Sequence, residues 1–98
     1  MYGTVARIRI KPGMEAQFQA EMDAFKARRV PGFVAEYVYR MDADPAETYM
    51  AVVFASKAAY QANASSPDQD AQYRRLLQLW DGAPEWHDGE VIHALTHG

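Results

Sequence analysis

One stretch constrains this chain more than any other: Tyr49-Met50-Ala51-Val52-Val53-Phe54-Ala55, followed at once by Ser56. A charge-free run rich in β-branched and aromatic residues reads as a strand, and one apolar on both faces reads as a central strand. Ser56 is a helix-capping residue, so the strand runs directly into a short helix that continues through Asn63 to about Ala64. Together they form the floor and one wall of any internal pocket. The remaining segments must supply the other walls.

Those segments are sharply punctuated. Tyr2 to Lys11 alternates as a strand, with Tyr2, Thr4, Ala6, Ile8 and Ile10 on one face and Val5, Arg7, Arg9 and Lys11 on the other. Pro12-Gly13 ends it, and Met14 to about Arg29 follows as a helix whose apolar face is Met14, Phe18, Met22 and Phe25. Glu15 near its start and Lys26, Arg28 and Arg29 near its end suit the helix dipole. After Pro31-Gly32, Phe33 to Asp42 alternates as a second strand, and a loop from Asp42 to Glu47 turns it into the third, Thr48 to Ala55. Ser66-Pro67-Asp68-Gln69 joins a capping serine, a first-turn proline and a glutamine at the third position, which predicts a helix from Pro67 to about Trp80. A last strand starts at about Trp86 or Gly89 and runs to Leu95, with Thr96-His97-Gly98 as a tail.

The order strand, helix, strand, strand, helix, strand divides into two like halves. With right-handed crossovers it predicts an α+β domain: a ferredoxin-like βαββαβ antiparallel sheet with its helices on one face. At 98 residues the chain is one domain, and its 49% hydrophobic content is that of a folded one. The other sheet face then poses a problem. Val34, Val38, Tyr49, Ala51 and Val53 oppose Phe33, Ala35, Tyr37, Met50, Val52 and Phe54, so whichever set meets the helices, the other is too apolar for water. A second copy packed sheet to sheet would cover it, so a homodimer is expected.

A net charge of −3 without clustered Lys or Arg argues against nucleic acid and anionic membranes as partners. The absence of cysteine removes thiolate chemistry and disulfides. No signal-like apolar segment stands at the start and no run approaches a membrane span, so a cytoplasmic protein is expected.

Three stretches of the chain carry a family resemblance. Val5-Ala6-Arg7-Ile8-Arg9-Ile10-Lys11-Pro12-Gly13-Met14-Glu15-Ala16-Gln17-Phe18 resembles the opening of antibiotic biosynthesis monooxygenase domains. Pro31-Gly32-Phe33 is similar to the family's Pro-Gly-aromatic step, and Phe54-Ala55-Ser56-Lys57-Ala58-Ala59-Tyr60 to its aromatic-x-Ser-x-x-x-aromatic junction. The resemblance implies a dimeric α+β barrel with a pocket between sheet and helices. It also implies, for several members, oxygenation of quinols or anthrone-type polyketides without metal, flavin or haem. There an electron-rich, deprotonated aromatic reduces dioxygen itself, and the protein supplies a dry pocket and groups that promote deprotonation and hold the anion. A haem-degrading branch is not implied. Its first-strand Asn and its helical Trp and His are replaced here by Ala6, by Ala62-Asn63-Ala64 and by Tyr73.

The candidate pocket comprises Phe54, Tyr60, Asn63, Tyr73, Trp80 and His93. Asn63, Tyr73 and Trp80 match residue types implied for the anthrone-oxygenating branch, but each also has a bland reading. Asn63 can simply end its helix, and Tyr73 and Trp80 share a core stripe with Leu76 and Leu77. His93 is the histidine best placed to meet a cavity as a base, though a hydrogen-bonded structural role is the commoner one. Glu85-Trp86-His87-Asp88-Gly89-Glu90 lacks metal-ligand spacing, and its Asp88-Gly89 reads as a turn, so no metal is expected. Arg7, Arg9, Glu36 and Arg40 read as ion-pair partners on strand faces or at the dimer rim. No catalytic constellation emerges. A cofactor-independent monooxygenase leads; a non-catalytic barrel dimer binding a small apolar or aromatic ligand, and a lyase or isomerase with His93 as base, stand beside it.

Overall fold

The computed structural model describes residues 1–97, so Gly98, the last of the expected tail, lies outside the described residues. Strands β1 (Tyr2–Arg9), β2 (Phe33–Arg40), β3 (Glu47–Phe54) and β4 (Glu85–Glu90) form one antiparallel sheet in the order β2-β3-β1-β4. Helices α1 (Glu15–Ala27), α2 (Lys57–Ala64) and α3 (Pro67–Leu77) complete the ferredoxin-like α+β fold. Ser56 and Ser66 cap α2 and α3 as their positions predict: each hydroxyl accepts from the amide three residues on, at 3.0 and 3.1 Å.

The core lies between sheet and helices. Phe18 of α1 and Leu76 of α3 are buried with Ala6, Ile8 and Met50 of the sheet. No described helix is long and apolar enough to cross a membrane.

Two departures from strict periodicity matter for the site. First, the β2–β3 register slips between Phe33 and Ala35. Simple alternation groups Phe33 with Ala35 and Tyr37, but the bulge leaves Phe33 opposite Phe54 and carries Glu36, Val38 and Arg40 onto the helix-facing side opposite Val52, Met50 and Thr48. Ala35, Tyr37 and Tyr39 thereby join Tyr49, Ala51 and Val53 on the open face, where Val5 of β1 also stands half-exposed. Second, α3 stops at Leu77, and Trp80 forms an isolated bridge with Ile10. Flanking backbone bonds, Lys11 N to Leu79 O at 2.8 Å and Asp81 N to Arg9 O at 2.7 Å, hold Trp80 there. Trp80 is therefore an inward residue of a strand-like pair rather than the end of a helical stripe.

The ion-pair expectation divides along the same bulge. On the open face Arg7 pairs with Glu47 and Glu85, and Arg9 with Asp44. Glu36 and Arg40 enter no ion pair among the described residues.

Candidate functional site

A row of four residues crosses the helix-facing side of the sheet: Glu36, Val52, Thr4 and Asp88, one from each strand. All four line a cavity of about 380 Å³ roofed by the helices. That volume suits a small organic ligand. Strands lie about 4.8 Å apart, so Glu36 and Thr4 stand roughly 10 Å apart along the floor.

The walls are aromatic. On one side, edge-on contacts link Phe25, Phe33, Phe54, Tyr60 and Tyr2 at centroid distances from 5.1 to 5.8 Å. On the other, Tyr73, Trp80 and Trp86 form a triangle with sides of 6.1 to 6.3 Å. Met22, Met50 and Leu76 fill the space between. Such a lining presents ring faces and edges to a flat aromatic guest.

Few polar groups interrupt this surface. The Trp80 indole Nε1–H is buried without a partner among the described residues, on a residue only 2% exposed. Thr4 Oγ1, on a residue 6% exposed, is likewise unpartnered among the described residues, though near enough to the Tyr60 hydroxyl to influence it. An interior donor left unmade costs about 1–3 kcal/mol. Tyr60 donates to Asp88 Oδ1 at 2.9 Å. Burial, then this bond to a carboxylate, pushes the Tyr60 hydroxyl up to about 12. Asn63 donates through Nδ2 to Gln69 Oε1 at 3.3 Å, which also accepts from Arg28 at 2.9 Å. Gln72, although buried, is held structurally by donating to the Glu21 carbonyl at 2.8 Å.

Of the six residues picked from the sequence, the fold places Phe54, Tyr60, Asn63, Tyr73 and Trp80 around the cavity. Asn63 lies inside α2, whose C-cap is Ser65, so it does not end the helix. His93 does not join them. β4 begins at Glu85 and its residues fill the β1 edge from Tyr2 to Arg7, so the chain leaves the sheet at Val91 and His93 is exposed beyond it. The same register puts Gly89 inside β4 opposite Gly3 rather than in a turn. It also sends Glu85 and His87 to the open face and Trp86 and Asp88 to the cavity.

Sequence reasoning missed Thr4, Glu36 and Trp86 as cavity residues. Thr4 was findable as the polar member of an apolar alternation. Glu36 was not, because the bulge decides which way it faces.

The sequence pattern of the antibiotic biosynthesis monooxygenase family matches residues 1–75. No curated protein matches the sequence. Among solved structures, the chain is similar to an asparagine-to-alanine mutant of SnoaB, a cofactor-independent oxygenase from Streptomyces nogalater. The identity is 18%, over 98% of this chain and 97% of that one, with a TM-score of 0.81. A conserved protein from Methanosarcina mazei Go1 aligns at 16% identity over 90% of this chain and 89% of its own, TM-score 0.78. An antibiotic biosynthesis monooxygenase aligns at 14% identity over 95% of this chain and all of its own, TM-score 0.75. At these identities the likeness establishes the fold.

Proposed function

The chain belongs to the antibiotic biosynthesis monooxygenase family, and on that premise we propose that it is a cofactor-independent monooxygenase of small, electron-rich aromatic substrates of the quinol or anthrone type. The observation that carries this reading is an aromatic-walled cavity whose lining includes Trp80, a residue with a buried indole N–H that is unpartnered among the described residues. An anthrone carries a carbonyl oxygen that can accept from such a donor. Loss of a ring-system proton turns that carbonyl into an enolate, and a fixed donor stabilises the developing charge. The enolate passes one electron to dioxygen, and the resulting radical and superoxide combine to a peroxide anion, which takes up a proton from solvent. Loss of water from the peroxide leaves a new carbonyl. One oxygen atom enters product and the other leaves as water, and the substrate supplies all four electrons. No external reductant enters the balance. SnoaB, named as a cofactor-independent oxygenase, shares the fold and supports the reading by analogy.

An oxygen electrode tests it. Chelator-treated protein with 1,8-dihydroxyanthrone and a panel of quinols is expected to consume one dioxygen per substrate, above the rate in buffer. No uptake across the panel would overturn the oxygenase. If calorimetry then showed stoichiometric binding of the same compounds, the ligand-binding reading would take its place. A lyase or isomerase using His93 lacks a geometric basis, since His93 stands outside the cavity.

The open sheet face supports a homodimer as the working form. Tyr37, Tyr39 and Val5 are half-exposed beside Ala51 and Val53, while the Arg7–Glu47–Glu85 group occupies one end as a rim would. Light scattering at micromolar concentration is expected to give the mass of two chains. Ala51→Glu, which sets a carboxylate in the middle of that face, is expected to halve it. A wild-type mass of one chain would refute the dimer.

A further inference from the structure

A second hollow, about 420 Å³, opens beside the first and includes Glu15 and Gln19 of α1 and Arg40 and Thr48 of the sheet. Among the described residues, only Met22 and Glu36 line both spaces. Met22 has no exchangeable proton. Glu36 is the one group in the partition that can take a proton on the aromatic side and release it on the polar side. It does so unencumbered, since it enters no ion pair among the described residues.

We propose that Glu36 is the proton acceptor of the cavity, catalytic for the deprotonation that precedes reaction with dioxygen, and that it discharges through the second hollow. The proposal rests on the oxygenase reading for its chemistry. In the step, a ring hydroxyl O–H or the activated C–H of a bound aromatic breaks, its electron pair stays on the ring system, and a new O–H forms on the carboxylate, which becomes neutral. Dioxygen then consumes the electron pair, and the Glu36 proton passes towards Glu15, Gln19 and solvent. The floor spacing suits the assignment. An aromatic lying along the row from Thr4 to Glu36 can offer a proton to Glu36 at the β2 end.

Burial raises the Glu36 carboxyl above the ordinary carboxylate range, which brings its basicity closer to that of a phenol and lessens the uphill transfer. Other ionisable groups face the same two spaces: Arg40 and Glu15 from the hollow, and Asp70, Asp88, Tyr60 and Tyr73 from the cavity. A pH profile is therefore informative only as a comparison of wild type with a Glu36 variant.

Folding is checked first. With the folded pKa raised, stability is greatest below the unfolded carboxyl value of 4.5 and declines as pH rises through it and through the folded value. Glu36→Gln should therefore melt above wild type at pH 7, and the advantage should vanish below about pH 4.

The first test needs no turnover. By calorimetry, 2-naphthol is expected to bind wild type at least about tenfold more tightly than naphthalene, since a hydroxyl donating to a carboxylate is a strong hydrogen bond. In Glu36→Leu the difference should fall below about twofold. No difference in wild type, or a difference that persists in the variant, would overturn the assignment. The second test uses 1,8-dihydroxyanthrone. Glu36→Gln is expected to lose about 100-fold in kcat with KM little changed, and to lose the acidic limb of the pH profile seen in wild type. An unchanged kcat and limb would overturn Glu36 as acceptor while leaving the oxygenase standing. Absence of any wild-type turnover would instead remove the oxygenase reading, and the naphthol comparison would then decide on Glu36 alone.

Discussion

Gly3→Ala is expected to destabilise the domain by several kcal/mol, enough to leave it largely unfolded at 37 °C, because native domains hold only about 5–15 kcal/mol in total. A Cβ at this position would lie 1.7 Å from the Val52 carbonyl oxygen and 2.8 Å from its carbon. Both are backbone atoms, so no rotamer change relieves the overlap; the β1 and β3 backbones would have to part. They cannot part cheaply, because β1 is a central strand bonded to β3 along Tyr2–Arg9 and to β4 along Tyr2–Arg7. Thr4 and Val52, the middle of the cavity floor, adjoin the overlap, so a shift there would disturb the site as well as the sheet.

Gly89 supplies the control. It faces Gly3 across β1 and β4, yet a Cβ there meets nothing within 4 Å. Gly89→Ala is therefore expected to change stability by under about 0.5 kcal/mol. Urea midpoints of the two variants measured side by side provide the check. Near-equal small losses would mean that the β1–β3 backbones adjust readily. Two large losses would mean that both glycines are required by the strand conformation itself.

The contrast between these glycines also shows where sequence ceases to be legible. Alternation along β1, the capping serines at Ser56 and Ser66, and the apolar run of β3 lead correctly to the sheet and its three helices. Those features depend on residue type and spacing within one segment. The bulge at Val34, the β4 register and the Trp80 bridge depend instead on pairing between distant segments. A one-residue slip exchanges the faces of a strand, so Glu36 moves from a presumed ion pair to the cavity and Tyr37 from a presumed partner of Phe33 to the open face. His93 fails for the same reason. An apolar alternation past Glu90 resembles a strand, but the residues that pair with β1 lie earlier in the chain. The site's chemistry therefore rests on long-range register, the level at which local periodicity carries least information.

Trp80→Phe should reduce turnover of a bound aromatic by roughly 100-fold or more while leaving a folded protein, because a single donor aimed at a developing oxyanion is worth about 10²–10³ in kcat. The substitution retains a ring in a position only 2% exposed, next to Tyr73 and Trp86, and deletes the one buried side-chain N–H that lacks a partner among the described residues. Two opposed effects act on stability. The smaller ring leaves a void, which destabilises. Removing an unsatisfied donor relieves a desolvation penalty of similar size, about 1–3 kcal/mol. The net change should be small beside the 3–5 kcal/mol expected for Trp80→Ala, which removes the whole side chain. Kinetics then separates two roles. If the indole N–H meets the substrate oxygen mainly when charge builds on it, kcat falls and KM holds; if it only anchors the ground state, KM rises and kcat holds. A Trp80→Phe variant with both constants unchanged would show that the orphaned donor has no part in the reaction. It would remove the observation on which the oxygenase assignment chiefly depends.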